Sequence, residues 1–200
     1  TEFDLIKRYR EMALHPEADS AIEDVVNEAI VSDLYDSPIE IELSNVNASD
    51  KLKSIIREEF KRIKDIMDFD KKSHEIFRNW YVDGRVFYLK VIDTKKPEEG
   101  IQDLRYIDPL KIRHIRQEKK KNKATLGPDL GSKDKDKFQS PELEEYFVYT
   151  PKPNYPTGTM VGGGGTKGIK IAKDSITYCT SGLVDRNKGN VLSYLHKAIK

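Results

Sequence analysis

The sequence predicts an α+β fold: helices followed by a meander of short antiparallel strands, ending in the start of a further helix. Two observations carry this. Up to Gly84 the apolar residues recur three and four positions apart, and beyond Gly84 the repeat drops to two. A chain of 200 residues is also long enough for one domain, or a domain with a lobe, around a sizeable core.

The helical part is expected over residues 1–84. In 3–14, Leu5, Tyr9 and Met12 share a face and predict a short first helix. In 17–32, Ala18, Ala21, Ile22, Val25, Val26, Ala29 and Ile30 form a continuous stripe. Pro16 suits the first helical position, where a missing N–H costs no hydrogen bond. Ser37-Pro38 interrupts the pattern, and the alternation Ile39-Glu40-Ile41-Glu42-Leu43 predicts a half-buried strand near a sheet edge. A helix over 50–68 would bury Leu52, Ile55, Ile56, Phe60, Ile63 and Met67, with Ser49 as its cap and Glu58–Arg62 as a stabilising pair. The helix over 71–82, capped by Asp70, presents Ile76, Phe77, Trp80 and Tyr81. It stops at Asp83-Gly84, where glycine can turn left-handed.

The strand-rich part is expected over 85–189. Strands are predicted at 85–93, 101–107, 110–116, 142–150, 169–171 and 176–179, with turns at 96–100 and Asp108-Pro109. Two loops near 119–139 and 151–168 are expected to be mobile. From Lys119 to Lys137 there are seven lysines against three aspartates and few apolar residues. Residues 190–200 read as a last helix capped by Asn190, with Val191, Leu192, Leu195 and Ile199 inward. It has no stop signal, so the chain is expected to be one segment of a longer protein.

Composition narrows the function classes. Lys plus Arg number 35 against 34 Asp plus Glu, which speaks against a dedicated nucleic-acid binder. No stretch approaches the roughly 18 apolar residues of a membrane helix. A single cysteine, Cys179, excludes an internal disulfide and a cysteine-based zinc cluster, and reads as a small core hydrophobe. The run Gly162–Gly165 with Thr166-Lys167 lacks the order of a phosphate loop, and a strand rather than a helix follows it. Asp68-Phe69-Asp70 begins like a calcium loop but continues with Lys72 and Ser73, so capping between helices accounts for it better. His15, His74, His114 and His196 lie at no ligand spacing, and no nucleophile elbow is present. Two chemical alternatives stay open: a nucleic-acid-binding module using the loop from Lys119 to Lys137 through charge alone, and a hydrolase or transferase whose site forms only in the fold.

A resemblance goes further than any motif. Phe77-Arg78-Asn79-Trp80-Tyr81-Val82-Asp83-Gly84-Arg85-Val86-Phe87, then Gly100-Ile101 and Leu104-Arg105-Tyr106-Ile107-Asp108-Pro109, resemble the portal vertex protein of T-even-like contractile-tailed bacteriophages. The helix from Ala21 to Val31, the strand Tyr146-Phe147-Val148-Tyr149, and Ser181–Asp185 with Tyr194–Ala198 resemble the same family in the same order. The resemblance implies a structural head-tail connector and no enzyme, with no catalytic, metal or cofactor-binding residues and no cofactor. It implies a homo-oligomeric ring of twelve subunits at one capsid vertex of the virion, assembled in the host cytoplasm. Double-stranded DNA passes through such a ring. The implied partners are the major capsid protein, the packaging terminase and the neck and tail proteins, and no membrane span is implied. This chain would be the larger part of the wing region, with a small β-barrel, and its last helix would lead toward the stem.

A ring of head-to-tail contacts closes only if each subunit holds a fixed shape. Ile56, Phe60, Trp80, Tyr81, Phe87 and Leu89 are the expected rigid centre. Loss of Trp80 from such a centre would cost about 3–5 kcal/mol.

Overall fold

Thr1 opens the chain by capping its own first helix: its hydroxyl accepts the Asp4 N–H while the Asp4 carboxylate turns back to the Thr1 backbone. The computed structural model describes residues 1–31, 37–118, 143–151, 168–186 and 189–199. Four helices come first: α1 (Glu2–Met12), α2 (Pro16–Ala29), α3 (Asp50–Met67) and α4 (Phe69–Asp83). Six strands follow: β1 (Arg85–Ile92), β2 (Ile101–Ile107), β3 (Ile112–Glu118), β4 (Leu143–Tyr149), β5 (Ile169–Ala172) and β6 (Ile176–Thr180). Four helices followed by antiparallel strands make the fold α+β, as the periodicities predict.

The chain divides into two units, residues 1–110 with 175–200 and residues 111–174. In the first, the four helices accompany a sheet ordered β2-β1-β6. Strand β1 is central, with Phe87 opposite both Ile107 and Tyr178, and a register shift at Val91/Ile92. Its buried cluster joins Tyr9 and Ala13 to Ile22 and Val26 of α2, Val82 of α4 and Leu195. The second unit is a sheet ordered β3-β4-β5. Phe147 at its centre is fully buried and stacks on His114, with ring centres 4.8 Å apart.

Several expectations are corrected. The described strands form two open three-stranded sheets with no closed barrel, and they are not a simple meander, because β6 returns to pair with β1. Residues 39–43 form no strand. Leu43 is buried, so the alternation is real, but Pro38 lacks a donor and no strand among the described residues offers a ladder partner. Residue 190 begins no α-helix: Val191 bridges Val184, and Ser193 caps a short 3-10 turn, Tyr194–Lys197. The junction of α3 and α4 is capped by Asp68, left-handed at φ 50°, rather than by Asp70, which instead accepts a hydrogen bond from Ser37. Arg62 leaves Glu58 for Glu59 and the carbonyls of Glu99 and Ile101. Cys179 is exposed: it pairs with Val86 and lines the open groove on that side of the sheet. The mobile loops expected near 119–139 and 151–168, and the nucleic-acid contact expected from Lys119 to Lys137, fall on residues outside those described, 119–142 and 152–167.

Candidate functional site

The most heavily constrained part of the first unit is the turn where α4 becomes β1. Asp83 ends the helix and Gly84 reverses the chain at φ 71°, its N–H bonded to the Trp80 carbonyl at 2.9 Å. A Cβ on Gly84 would stand 2.6 Å from the Leu192 carbonyl oxygen, so the close approach of residues 192–193 also requires glycine.

Three arginines fasten this joint. Arg10 of α1 meets Asp83 with two contacts, Nε to Oδ1 at 2.9 Å and Nη2 to Oδ2 at 2.7 Å, and reaches Asp108 at 2.8 Å. Asp83 is almost wholly buried, and that desolvation pushes its carboxyl above the usual aspartate range against the pull of Arg10. The guanidinium stays charged, raised chiefly by its bond to Asp83. Arg85, also buried, donates to the Glu2 carboxylate, to the Val191 carbonyl and to the Asp83 carbonyl. Arg78 ties α4 to Asp19 and Glu23 of α2. Buried charges with several partners fix geometry more than they stabilise, because each pair must first be desolvated.

Ser193 seals the same corner. Fully buried, it donates to the Tyr81 carbonyl at 3.0 Å and accepts the Leu195 N–H at 3.0 Å. Tyr194 stacks on Tyr81 at 5.1 Å and touches Trp80 at 5.4 Å, and Phe77 packs on Trp80 from the preceding turn. Between α3, α4 and the sheet lies an open apolar groove of about 550 Å³, lined by Ile63, Met67, Phe77, Trp80, Tyr88 and Leu104 among others.

The six residues expected to form the rigid centre are spread over three places. Trp80 and Tyr81 meet at Tyr194. Phe87 is buried and shares one face of β1 with Leu89, opposite the face of Val86 and Tyr88 that lines the groove. Ile56 and Phe60 lie half-buried on α3, a helix that buries no residue completely. Among the described residues no group of three histidine, cysteine or carboxylate side chains could hold a metal, and no helix is long and apolar enough to cross a membrane.

This joint occupies the sequence blocks that carry the portal resemblance, and the comparison with known proteins agrees. The sequence pattern of the family described as bacteriophage T4-like portal protein (Gp20) matches residues 2–200. The chain belongs to this portal family. The portal protein of Vibrio phage KVP40 is 30% identical over 200 residues, 98% of this chain and 36% of that protein. The portal protein of Salmonella phage ViI is 28% identical over 206 residues, 98% of this chain and 34% of that protein. The chain thus spans about a third of the length of these portal relatives.

Within this portal chain, apolar patterning overlooked Arg10, Asp83, Arg85 and Ser193. The available signal was the charged pair Asp83 and Arg85 flanking a glycine turn inside an otherwise apolar run.

Proposed function

We propose that the full-length protein is a structural subunit of a phage portal: a ring of identical subunits, twelve as the resemblance implies, at one vertex of the capsid. Double-stranded DNA passes through its centre during packaging and ejection, the terminase docks on it, and the neck and tail attach there. The capsid protein surrounds it, so the subunit is a virion component. It performs no catalysis of its own. The observation that supports this reading is the family match over residues 2–200. The physics agrees: angular error accumulates around a head-to-tail ring, and the triply fastened α4–β1 joint suppresses flexing in each subunit.

Within that reading the described units belong to the wing. Trp80 and Tyr81 supply apolar packing beside the joint, Phe87 and Leu89 on one face of β1 and Ile56 and Phe60 along α3, while the arginine clasps fix the angle of the joint. Negative-stain images and native mass measurement of the full-length protein test the proposal. A closed ring with a central hole supports it, and a stable monomer under assembly conditions overturns it.

A further inference from the structure

Helix α2 carries five acidic residues and no basic one. Two of them, Asp19 and Glu23, turn inward to Arg78. The other three, Glu17, Asp24 and Glu28, fall on one outer stripe at spacings of seven and four residues, and all are exposed. Exposed aliphatic side chains bracket this stripe: Leu14, 81% exposed, just before the helix, and Val31, 68% exposed, just after it.

Helix α3 offers the complementary pattern. Lys53, Arg57 and Lys61 recur every four residues along one stripe, Lys53 half-buried and the other two exposed. Among the described residues none of these six charged side chains makes an ion pair. Arg57 does lie near Glu42, whose carboxyl is held low by Ser44 first and by Arg57 in lesser measure. Helices α2 and α3 each pack on α4, and among the described residues no ion pair joins the two stripes within one chain.

We infer that the α3 face receives the α2 stripe of a second copy of this chain, acid on base, in a heterologous contact that repeats from subunit to subunit. One helical step of four residues is about 6 Å, so the Asp24–Glu28 spacing matches Lys53–Arg57 and Arg57–Lys61 alike. Complementary charge sets register, while Leu14 and Val31 at the two ends of α2 supply apolar contact at the edges. Used once per pair of subunits, such a contact is heterologous and closes into a ring if its rotation fits; a two-fold dimer would use it twice within one pair. This inference rests on the proposed ring and names its subunit contact.

The test uses the full-length protein. Reversing charge on one stripe (Asp24→Lys with Glu28→Lys) or on the other (Arg57→Glu with Lys61→Glu) is expected to weaken ring formation at least ten-fold in native mass measurements. Combining the two sets is expected to restore it. Carbodiimide treatment of wild-type rings mixed from light and heavy-isotope subunits should join Glu28 or Asp24 of one subunit to a lysine of α3 in another. Rings that survive either reversal, a combined variant that stays monomeric, or crosslinks confined to single subunits would overturn the contact. Should the wild type itself form no ring, the portal reading fails instead, and the two failures stay distinct. The crosslink result needs no variant to fold.

Discussion

Arg10 and Asp83 lie 73 residues apart in sequence and meet in a two-point contact, Nε on Oδ1 at 2.9 Å and Nη2 on Oδ2 at 2.7 Å. One carboxylate at the last turn of α4 thereby binds α1 to the point where the sheet begins, and Asp108 at the end of β2 shares the same guanidinium. The contact makes the first helix part of the joint rather than an appendage.

Replacing Arg10 by alanine strands a buried carboxylate. We expect a loss of about 3 kcal/mol, the low end of the range for breaking a buried pair, since the Arg10 side chain is 36% exposed. Arg10→Lys should cost less but not restore the wild type, because an ammonium cannot make both contacts. Urea denaturation of the full-length protein and both variants checks this, with an unchanged slope showing that stability and not compactness has moved.

Gly84→Ala faces two obstacles, a left-handed φ of 71° and a Cβ 2.6 Å from the Leu192 oxygen. The expected cost is about 3 kcal/mol, from the backbone conformation and the displaced segment together. A thermal melt measures it. An alanine variant as stable as wild type would show that residues 192–193 do not hold their place against the joint.

Trp80→Ala should cost about 2–3 kcal/mol, less than for a fully enclosed tryptophan, because the side chain is only half-buried against the groove. Assembly of the full-length variant should fall with it, giving incomplete rings in negative stain. Normal rings at normal stability would remove Trp80 from the packing that keeps the proposed ring subunit rigid.

Acid should loosen the two units in a definite order. Glu145 on β4 is held below its ordinary value of 4.5 by Lys173 first and then Arg116. Its stabilising contribution is present above the unfolded value and is lost as pH falls through the lower folded value. Asp83 behaves oppositely: burial raises it above 3.8, so between that value and its folded value the native state binds the proton more tightly. Falling pH therefore favours the native state at this group and does not attack the joint first. Hydrogen exchange on descending from pH 6 to pH 3 should show amides of β4 and β5 losing protection before those around 83–87, and the reverse order would contradict the assignment.

Local features of the fold were legible in the sequence. Strand β2 spans the predicted residues 101–107, and the caps at Ser49 and Gly84 stand where turn chemistry put them. These features depend on neighbours a few residues away, so local spacing encodes them. The strand expected at 39–43 failed for the opposite reason: alternation reports which side chains turn inward, while a strand also needs a hydrogen-bonding partner. Residues 190–199 likewise carry a helical apolar pattern, but the buried Ser193 and the Val184–Val191 bridge hold them in another shape.

The sequence by itself determined the helix-then-strand order, the change of period at Gly84 and the blocks shared with the portal family. Only the tertiary structure decided that β6 pairs with β1, that Arg10 closes on Asp83 and Asp108, and that α2 and α3 leave opposite charges facing solvent. The physical reason is range. Periodicity and caps are set within one or two turns of chain, whereas a buried charge is tolerated only where the fold brings its counter-ion to it, and here the two lie 73 residues apart in sequence.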